Sequence, residues 1–339
     1  MREPSYEDAL QVLLLQAADE GRGEVLFGEC LDRASREVGP FMVGKSFPSV
    51  YLECPLLGEP FLDLTILYAQ LERGTRIDHP AVGNANAMLE WYAETCNGQS
   101  NECCGFELDI KEPELPVAAV HFQPRAGLHL VRPFCESVGE PDRADLYLDL
   151  AKRMPDGWPL SFFGMFRGRP GSPLRVCGYL DMNERTACAE DPQRLAATFD
   201  RVGFSAYDEA TLSEICSFLA VSPGTVDFQL DVYPDGSLGD TFAIDAQFEI
   251  EQPENVCDSF ENGPASRIMH LLEEKGVADE RWKLVPNAAF ARCLPVERAD
   301  GSTGRYAFTV MPQWAKIRWR RGTLQQAKMY FFANACFLD

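Results

Sequence analysis

The sequence is short of positive charge. Its 31 lysine and arginine residues stand against 52 aspartate and glutamate residues, which gives a formal net charge of −21. Nucleic acids and anionic membranes bind proteins through positively charged surfaces. The composition therefore argues against both as partners, and it makes any local cluster of cations more conspicuous.

The sequence also lacks the signs of export, of membrane insertion and of a metal-binding cysteine framework. Its N-terminal stretch MREPSYEDALQVLLLQAADE is acidic and holds only a short apolar run, unlike a signal peptide. No run approaches the roughly 20 apolar residues that span a bilayer. The twelve cysteines are scattered from Cys30 to Cys336 without a CxxC pair, whereas tetrahedral metal sites usually show paired spacing. We therefore expect a cytoplasmic protein without a metal site, whose reduced cysteines are mostly small core residues.

Several catalytic motifs are missing as well. The chain has no GxGxxG loop and no GxSxG motif. The letters of GxxxxGK[ST] occur at residues 39–46, GPFMVGKS, but they follow a predicted helix rather than a strand, so they do not indicate a phosphate-binding loop. Its four histidines show no HExxH spacing. His121 and His129 lie in a β context and could face the same space, although a surface location is favoured. Loop-bound nucleotides, serine hydrolysis and zinc proteolysis are thus not indicated.

What is present is a repeating order of helix, strand pair and helix, which recurs about five times along the chain. The strand pairs alternate apolar with polar residues, most clearly in TVDFQLDVYPDGSLGDTFAIDAQFEI. This pattern predicts an α+β fold of repeated αββα units, in which about ten antiparallel strands close into a barrel surrounded by helices and leave room for a ligand. Because no linker is evident, we expect a single domain over residues 1–339. Small α+β domains in tandem are the alternative.

The most informative stretch is the C-terminal segment WAKIRWRRGTLQQAKMYFF, residues 314–332. A glycine in its polar break, at residues 320–323, predicts a hairpin turn. Strand side chains alternate between faces, so cations and aromatic residues of both strands can line one surface. Such a surface suits an anion beside a flat apolar group, and a solvated sheet face is the alternative. The residues concerned are Lys316, Arg318, Lys328, Tyr330 and Phe332.

The hairpin order and one local motif resemble the αββα-barrel aromatic prenyltransferases, including the peptide-modifying ones. In that family, diphosphate-binding residues project into the barrel as Lys-x-Tyr or Arg-x-Tyr triplets. Residues 328–330, Lys-Met-Tyr, match such a triplet, and residues 316–318, Lys-Ile-Arg, are compatible with it although they lack the tyrosine. The resemblance implies transfer of a prenyl group from an allylic diphosphate, such as dimethylallyl diphosphate, to an aromatic or peptide acceptor in the barrel lumen.

The resemblance also implies roles for individual residues. Fixed cations stabilise a departing diphosphate, and aromatic faces shield an allyl cation. A lumen carboxylate orients or deprotonates the acceptor, and Glu53 is the candidate. No cofactor is required, and Mg²⁺ is an optional bridging ion. The candidate diphosphate ligands are Lys316, Arg318, Lys328, Tyr330, Arg167 and Arg175, and the candidate aromatic shield is Tyr51, Phe163, Tyr179, Trp314 and Phe332.

The fourth strand pair departs from the family pattern, because it is acidic where a basic residue is expected. Its carboxylates are Asp227, Asp231, Asp245 and Glu249. If they point inward, they repel a diphosphate unless a divalent cation bridges them. Alternatively, they bind a cationic group of a peptide acceptor, or the barrel is a non-catalytic peptide-binding protein. An enzyme of another class with an enclosed lumen is the third alternative.

Overall fold

The computed structural model describes residues 2–19, 22–96, 103–112, 114–124, 127–298 and 300–338, without the side chain of Asp32. The helices are α1 (Tyr6–Ala17), α2 (Arg22–Phe27), α3 (Leu31–Val38), α4 (Asn86–Thr95), α5 (Val131–Val138), α6 (Arg143–Arg153), α7 (Met182–Glu190), α8 (Pro192–Val202), α9 (Glu209–Val221), α10 (Val256–Glu261), α11 (Pro264–Glu274) and α12 (Val285–Ala288). The strands are β1 (Ser49–Pro55), β2 (Asp63–Tyr68), β3 (Cys103–Leu108), β4 (Ala119–Gln123), β5 (Leu160–Met165), β6 (Leu174–Leu180), β7 (Val226–Val232), β8 (Leu238–Gln247), β9 (Phe290–Glu297), β10 (Thr303–Arg320) and β11 (Thr323–Phe337).

In the described part of the chain, ten strands close into a barrel. Each strand from β1 to β7 pairs with the next one along the chain, β8 pairs with β10, and β11 joins β10 to β1. All of these pairings are antiparallel. The predicted α+β barrel is therefore confirmed. Strand β9 lies outside the ring, because it pairs with the first half of β10, from Thr303 to Val310.

The two ends of the barrel differ. The turns after β1, β3, β5, β7 and β10 lie at one end, which we call the hairpin end. The connections after β2, β4, β6 and β8 run through helices at the other end, which we call the helix end. The last hairpin turns at Arg321 and Gly322, with φ of 50° and 74°. Two positive φ angles in a two-residue turn match the twist of paired strands, which confirms the predicted turn.

The barrel wall separates an apolar outer face from a polar lumen. In β1, Tyr51 and Glu53 alternate with the fully buried Leu52. Outer residues pack under the helices, as Phe27 of α2 does against Phe331 of β11 with ring centroids 5.8 Å apart. Burial of the apolar face fixes the register, because a shift by one residue would exchange the two faces. The polar residues between are thereby directed into the lumen.

Three further observations bear on the sequence-based expectations. Seven of the twelve cysteines are buried, as expected for core residues. No helix formed by the described residues is long and apolar enough to cross a bilayer. Within the same ranges, no group of three or more His, Cys, Asp or Glu side chains is arranged to hold a metal ion.

Candidate functional site

The barrel encloses a cavity of about 330 Å³. Its aromatic wall includes Tyr51, Phe162, Trp314 and Tyr330, and the remaining wall is rich in charged and amide side chains. This volume lies at the lower end of the range for small-molecule pockets. A largely apolar pocket with a few convergent polar groups is the usual form of a ligand site.

A chain of polar contacts joins the C-terminal hairpin to β1. Lys316 Nζ donates to the phenol oxygen of Tyr330 at 2.7 Å and lies 4.5 Å from its ring centroid. The Tyr330 hydroxyl donates to Glu53, which also accepts a hydrogen bond from Lys328. Lys328 Nζ lies 3.8 Å from Asp63 Oδ2 as well. The predicted residues of the first and last hairpins are thus brought into one network.

Glu53 is an ionised structural partner within this network. Burial alone raises the pKa of Glu53, but Lys328 and Lys316 outweigh burial and hold the pKa below its usual value. Burial, followed by the Glu53 carboxylate, raises the pKa of neighbouring Asp63 to about 7. Tyr330 lines the cavity, whereas the buried Glu53 does not. A carboxylate with a lowered pKa is a poor proton acceptor, and these contacts favour a positioning role for Glu53.

Arg175 is held by an ion pair toward the hairpin end of the lumen. Its Nε lies 2.9 Å from Asp231 Oδ1, and its Nη2 lies 3.3 Å from Oδ2. Its guanidinium and that of Arg169 both lie over the ring of Phe166, at 4.3 and 4.1 Å from the centroid. Arg169 pairs with Glu107 at 2.7 Å. Both arginines are therefore compensated by carboxylates.

Arg318 and Lys316 differ from the other lumen cations. Arg318 lines a narrow cleft together with Arg175 and Asp231, yet it forms no hydrogen bond or ion pair with any described residue. Burial, followed by the like charge of Arg175, lowers the pKa of Arg318. Lys316 bonds to a phenol and, within the described ranges, has no ion-paired carboxylate. These two side chains alternate along the lumen face of β10 as two cations without a paired anion.

Glu107 and His121 form a second polar pair in the cavity wall. His121 Nε2 lies 3.3 Å from Glu107 Oε2, and the imidazole stacks on Phe162 with centroids 4.9 Å apart. Gly164 lies opposite His121, and a Cβ there would come within 2.5 Å of the imidazole. Burial lowers the pKa of His121 despite Glu107, so its neutral form prevails at pH 7. The favoured surface location of His121 is therefore wrong, whereas His129 is exposed.

The acidic residues of the fourth strand pair divide into two groups. Asp227 and Asp245 line the cavity, and Asp231 faces the lumen beside Arg175. Glu249 lies beyond the end of β8, exposed and with φ of 53°, so the expectation of an inward carboxylate does not hold there. Burial, followed by Asp245, raises the pKa of Asp227 to about 7. Burial also raises the pKa of Asp245.

Three of the predicted shield residues converge at the helix end of the lumen. Tyr51 has ring centroids 5.2 Å from Trp314 and 5.4 Å from Phe332. Trp314 in turn stacks on Tyr330, with centroids 5.1 Å apart and an interplanar angle of 16°. This aromatic cluster borders the cavity beside Lys316. It supplies the apolar surface that the sequence pattern led us to expect there.

The structure corrects the placement of Phe163. Its side chain is fully buried on the outer face, against Phe134 of α5 and Tyr147 of α6, with centroids 5.4 and 4.8 Å away. Phe162 lines the cavity in its place. Two consecutive phenylalanines give β5 an aromatic side chain on each face, so the sequence pattern does not distinguish the inner one.

Arg167 and Tyr179 lie away from the cavity wall. Arg167 follows the end of β5, where the turn breaks the alternation, and its guanidinium bonds to Asn84 and to the Val82 carbonyl. Tyr179 shares a face with Arg175 but sits at the helix end of β6, 36% exposed. Neither side chain lines the cavity.

Several wall residues were missed by the sequence analysis as candidates. They are Glu107, His121, Phe162, Gln229 and Gln247. Gln229 and Gln247 could have been found, since each is two residues from a singled-out aspartate in a strictly alternating strand. Glu107 and His121 also stand at polar positions of alternating segments, residues 106–111 and 120–123, so alternation could have indicated them as well.

No protein-family model matches the chain, and no curated protein matches it in sequence. Solved structures do match it. The 5-dimethylallyltryptophan synthase from Streptomyces coelicolor is similar with a TM-score of 0.54 at 12% identity, over 97% of each chain. The complex of 5-dimethylallyl tryptophan synthase from the same organism with DMASPP and Trp gives a TM-score of 0.50 at 12% identity, over 97% of this chain and 94% of that one. The chain therefore has the barrel fold of the αββα prenyltransferases.

Proposed function

We propose that the protein transfers a prenyl group from an allylic diphosphate to an aromatic small molecule in the barrel lumen. The observation that carries this proposal is the pair of cations on β10, Lys316 and Arg318, which have no ion pair with any described carboxylate. Charge-assisted hydrogen bonds to a diphosphate would satisfy both groups. The adjoining aromatic cluster suits a flat acceptor, and the barrel fold supports the same chemistry.

The size of the cavity favours a small acceptor over a peptide. Its volume of about 330 Å³ lies at the lower end of the range for small-molecule pockets. A peptide segment would also require partners for its backbone amides and carbonyls. The proposed acceptor is therefore a compact aromatic molecule.

The proposed reaction has three steps. The bond between C1 and oxygen of the allylic diphosphate breaks, and the electron pair leaves with the diphosphate, where Lys316 and Arg318 stabilise the developing charge. A π-electron pair of the acceptor then forms a bond to the allyl cation, which Tyr51, Trp314 and Tyr330 shield from water. The resulting arenium ion finally loses a proton and recovers its aromaticity.

His121 is the proposed acceptor of that proton. It lines the cavity, its lowered pKa keeps the ring neutral at pH 7, and Glu107 lies within reach of its Nε2. Its Nδ1 has no hydrogen-bond partner among the described residues. Replacement His121→Ala should reduce turnover about a hundredfold or more, as is usual for a lost general base, while diphosphate binding is unchanged. Equal turnover of the two proteins would remove His121 from the mechanism.

The experiment that tests the proposal is calorimetric titration with dimethylallyl thiolodiphosphate, a non-ionising analogue, with and without Mg²⁺. We expect saturable binding to the wild type. Lys316→Met and Arg318→Met should each weaken it by about 1.4 kcal/mol or more, a tenfold change. Methionine retains most of the apolar stem and removes only the charge.

Arg320→Met is the matched control. Arg320 follows Arg318 by two residues on β10, but its exposed guanidinium pairs with Asp240 at 3.3 Å at the turn. The control should bind the analogue like the wild type. Absence of binding to the wild type with and without Mg²⁺, or equal weakening in the control, would contradict the proposal.

A second candidate function is binding without catalysis. It is favoured by the ion pairs of Arg175 and Lys328 with carboxylates. These carboxylates already neutralise two of the predicted cations, which are then less able to bind a diphosphate. If the analogue binds but no aromatic acceptor is prenylated with dimethylallyl diphosphate, this second function would be preferred.

A further inference from the structure

One side of the cavity wall carries only hydrogen-bond acceptors and amides. It is formed by Asp227 and Gln229 of β7 and by Asp245 and Gln247 of β8. Asp227 lies directly opposite Asp245 in the register of the two strands. We call these four residues the acidic wall.

The acidic wall contains buried acceptors without donors. The amide nitrogen of Gln229 donates to Asp245 Oδ2 at 2.9 Å. Gln229 Oε1 and Asp245 Oδ1 remain, and neither accepts a hydrogen bond from any described residue. The two side chains are only 8% and 6% exposed. Buried polar atoms normally have partners, so a donor from outside the protein chain is indicated.

The charge of the acidic wall is also left without a paired cation. Asp227 accepts a hydrogen bond from the Gln247 amide at 3.0 Å, and neither Asp227 nor Asp245 forms an ion pair within the described ranges. Asp231, on the same face of β7, is by contrast satisfied by Arg175. Lys316 lies directly opposite Asp245 in the register of β10 and β8 but forms no ion pair with either aspartate. A positively charged donor would therefore serve both the open acceptors and the carboxylate charge.

Aromatic rings face the same space. Tyr51, Phe162, Trp314 and Tyr330 line the cavity together with the acidic wall. A ligand that combines a flat ring with a cation can thus stack on the aromatic residues and place its charge on the carboxylates.

We propose that the acidic wall is the subsite for the ammonium group of the acceptor, and that the acceptor is an aromatic amine. This inference rests on the proposed function, because it names the class of acceptor for the same lumen. The ammonium donates to Asp245 Oδ1, to Gln229 Oε1 and to the Asp227 carboxylate. Arg318 lies toward the hairpin end, whereas Lys316 lies directly opposite Asp245 and level with Asp227. A substrate diphosphate that reaches Lys316 and an acceptor ammonium therefore bind next to each other.

The test compares two ligands that differ only at the end of the side chain. Tryptamine carries an ammonium group, and 3-(2-hydroxyethyl)indole carries a hydroxyl group in its place. Calorimetric titration without diphosphate should give at least tenfold tighter binding of tryptamine. Asp245→Asn and Asp227→Asn should each weaken tryptamine binding about tenfold while affinity for the alcohol hardly changes.

Asp240→Asn is the control, because Asp240 lies on the same strand but pairs with Arg320 and Arg321 outside the cavity. It should bind tryptamine like the wild type. Far-UV circular dichroism is used to check that each variant is folded. If one of the two isosteric cavity variants does not fold, the other still tests the subsite.

Equal affinity for the amine and the alcohol, or unchanged affinity in both cavity variants, would overturn the subsite. Because no diphosphate is present, this outcome is independent of the thiolodiphosphate titration. A protein that binds tryptamine but not the analogue would retain the subsite and lose the prenyl-transfer proposal.

Discussion

Arg175 and Arg318 line the same narrow cleft beside Asp231, but of the two only Arg175 forms an ion pair with it. Arg175 is held by two contacts with Asp231, and this carboxylate raises the pKa of Arg175 above its usual value although burial alone would lower it. Arg318 forms no hydrogen bond or ion pair with any described residue, and burial, followed by the like charge of Arg175, lowers its pKa although Asp231 acts in the opposite sense. The comparison suggests that one arginine stabilises the barrel and the other is available to a ligand.

The carboxylates of β7 show the same contrast. Arg175 lowers the pKa of Asp231 although burial alone would raise it. Asp227, four residues before Asp231 on the same face of β7, has only the Gln247 amide as a partner, and burial, followed by Asp245, raises its pKa to about 7. Charged groups without counter-ions are expensive to bury and therefore indicate function more strongly than paired ones do.

The largest change in the free energy of unfolding is expected when Arg175, the arginine with an ion pair, is replaced. Arg175→Met leaves Asp231 buried without its cation and should lower the free energy of unfolding by about 3–5 kcal/mol. Urea denaturation followed by circular dichroism measures the change.

The double variant Arg175→Met/Asp231→Leu is the control for this prediction. It removes both charges and should regain most of the lost stability, because a buried ion pair and an apolar pair of similar size differ little. A single variant as stable as the wild type would show that Arg175 is not a structural residue.

Replacement of Arg318 should change the free energy of unfolding less and in the opposite direction. Arg318→Met removes a half-buried guanidinium that forms no hydrogen bond or ion pair with a described residue, so the free energy of unfolding should stay the same or rise by about 1 kcal/mol. The same urea titration measures it, beside Arg320→Met as an exposed reference. A loss of more than about 2 kcal/mol would mean that Arg318 supports the fold as Arg175 does.

The fold was within reach of the sequence because its determinants are local. Alternation in residues 226–247 and the glycine at position 322 specify hairpins, and a closed ring follows when each hairpin has one apolar face. The exclusion of β9 from the ring was not predictable in this way. It depends on β10 continuing past Val310, where it leaves β9, into the segment that pairs with β8.

The candidate site was less accessible, since it depends on partners that are distant in sequence. Alternation indicated that Lys316 and Arg175 share faces with other polar residues. It did not indicate that Asp231 would neutralise Arg175 while Arg318 stays unpaired, because this requires the order of strands around the ring. Glu53 illustrates the same limit: its carboxylate is bonded by Lys328 and Tyr330 across the β1–β11 pairing.

The last test concerns the carboxylate without an ion pair and uses pH; at about 1.4 kcal/mol per pKa unit, the rise from 3.8 to about 7 sets an upper bound of about 4 kcal/mol on its effect. The pKa of Asp227 is about 7 in the folded state, against 3.8 for an ordinary aspartate. Between these values the folded protein holds a proton that the unfolded chain has lost, so the contribution of Asp227 to stability falls as the pH rises from about 4 to 7. Asp227→Asn removes this dependence and should be more stable than the wild type at pH 8, with the difference vanishing near pH 4.

Asp240→Asn is the control and should behave in the opposite way. Burial alone raises the pKa of Asp240, but Arg321 and Arg320 outweigh burial and lower it. The contribution of Asp240 to stability is therefore present at neutral pH and is lost in acid. Urea titrations at several pH values measure both differences. If the stability of both variants changes with pH in the same way, Asp227 is compensated as Asp231 is. The contrast between paired and unpaired lumen charges would then not hold for the carboxylates.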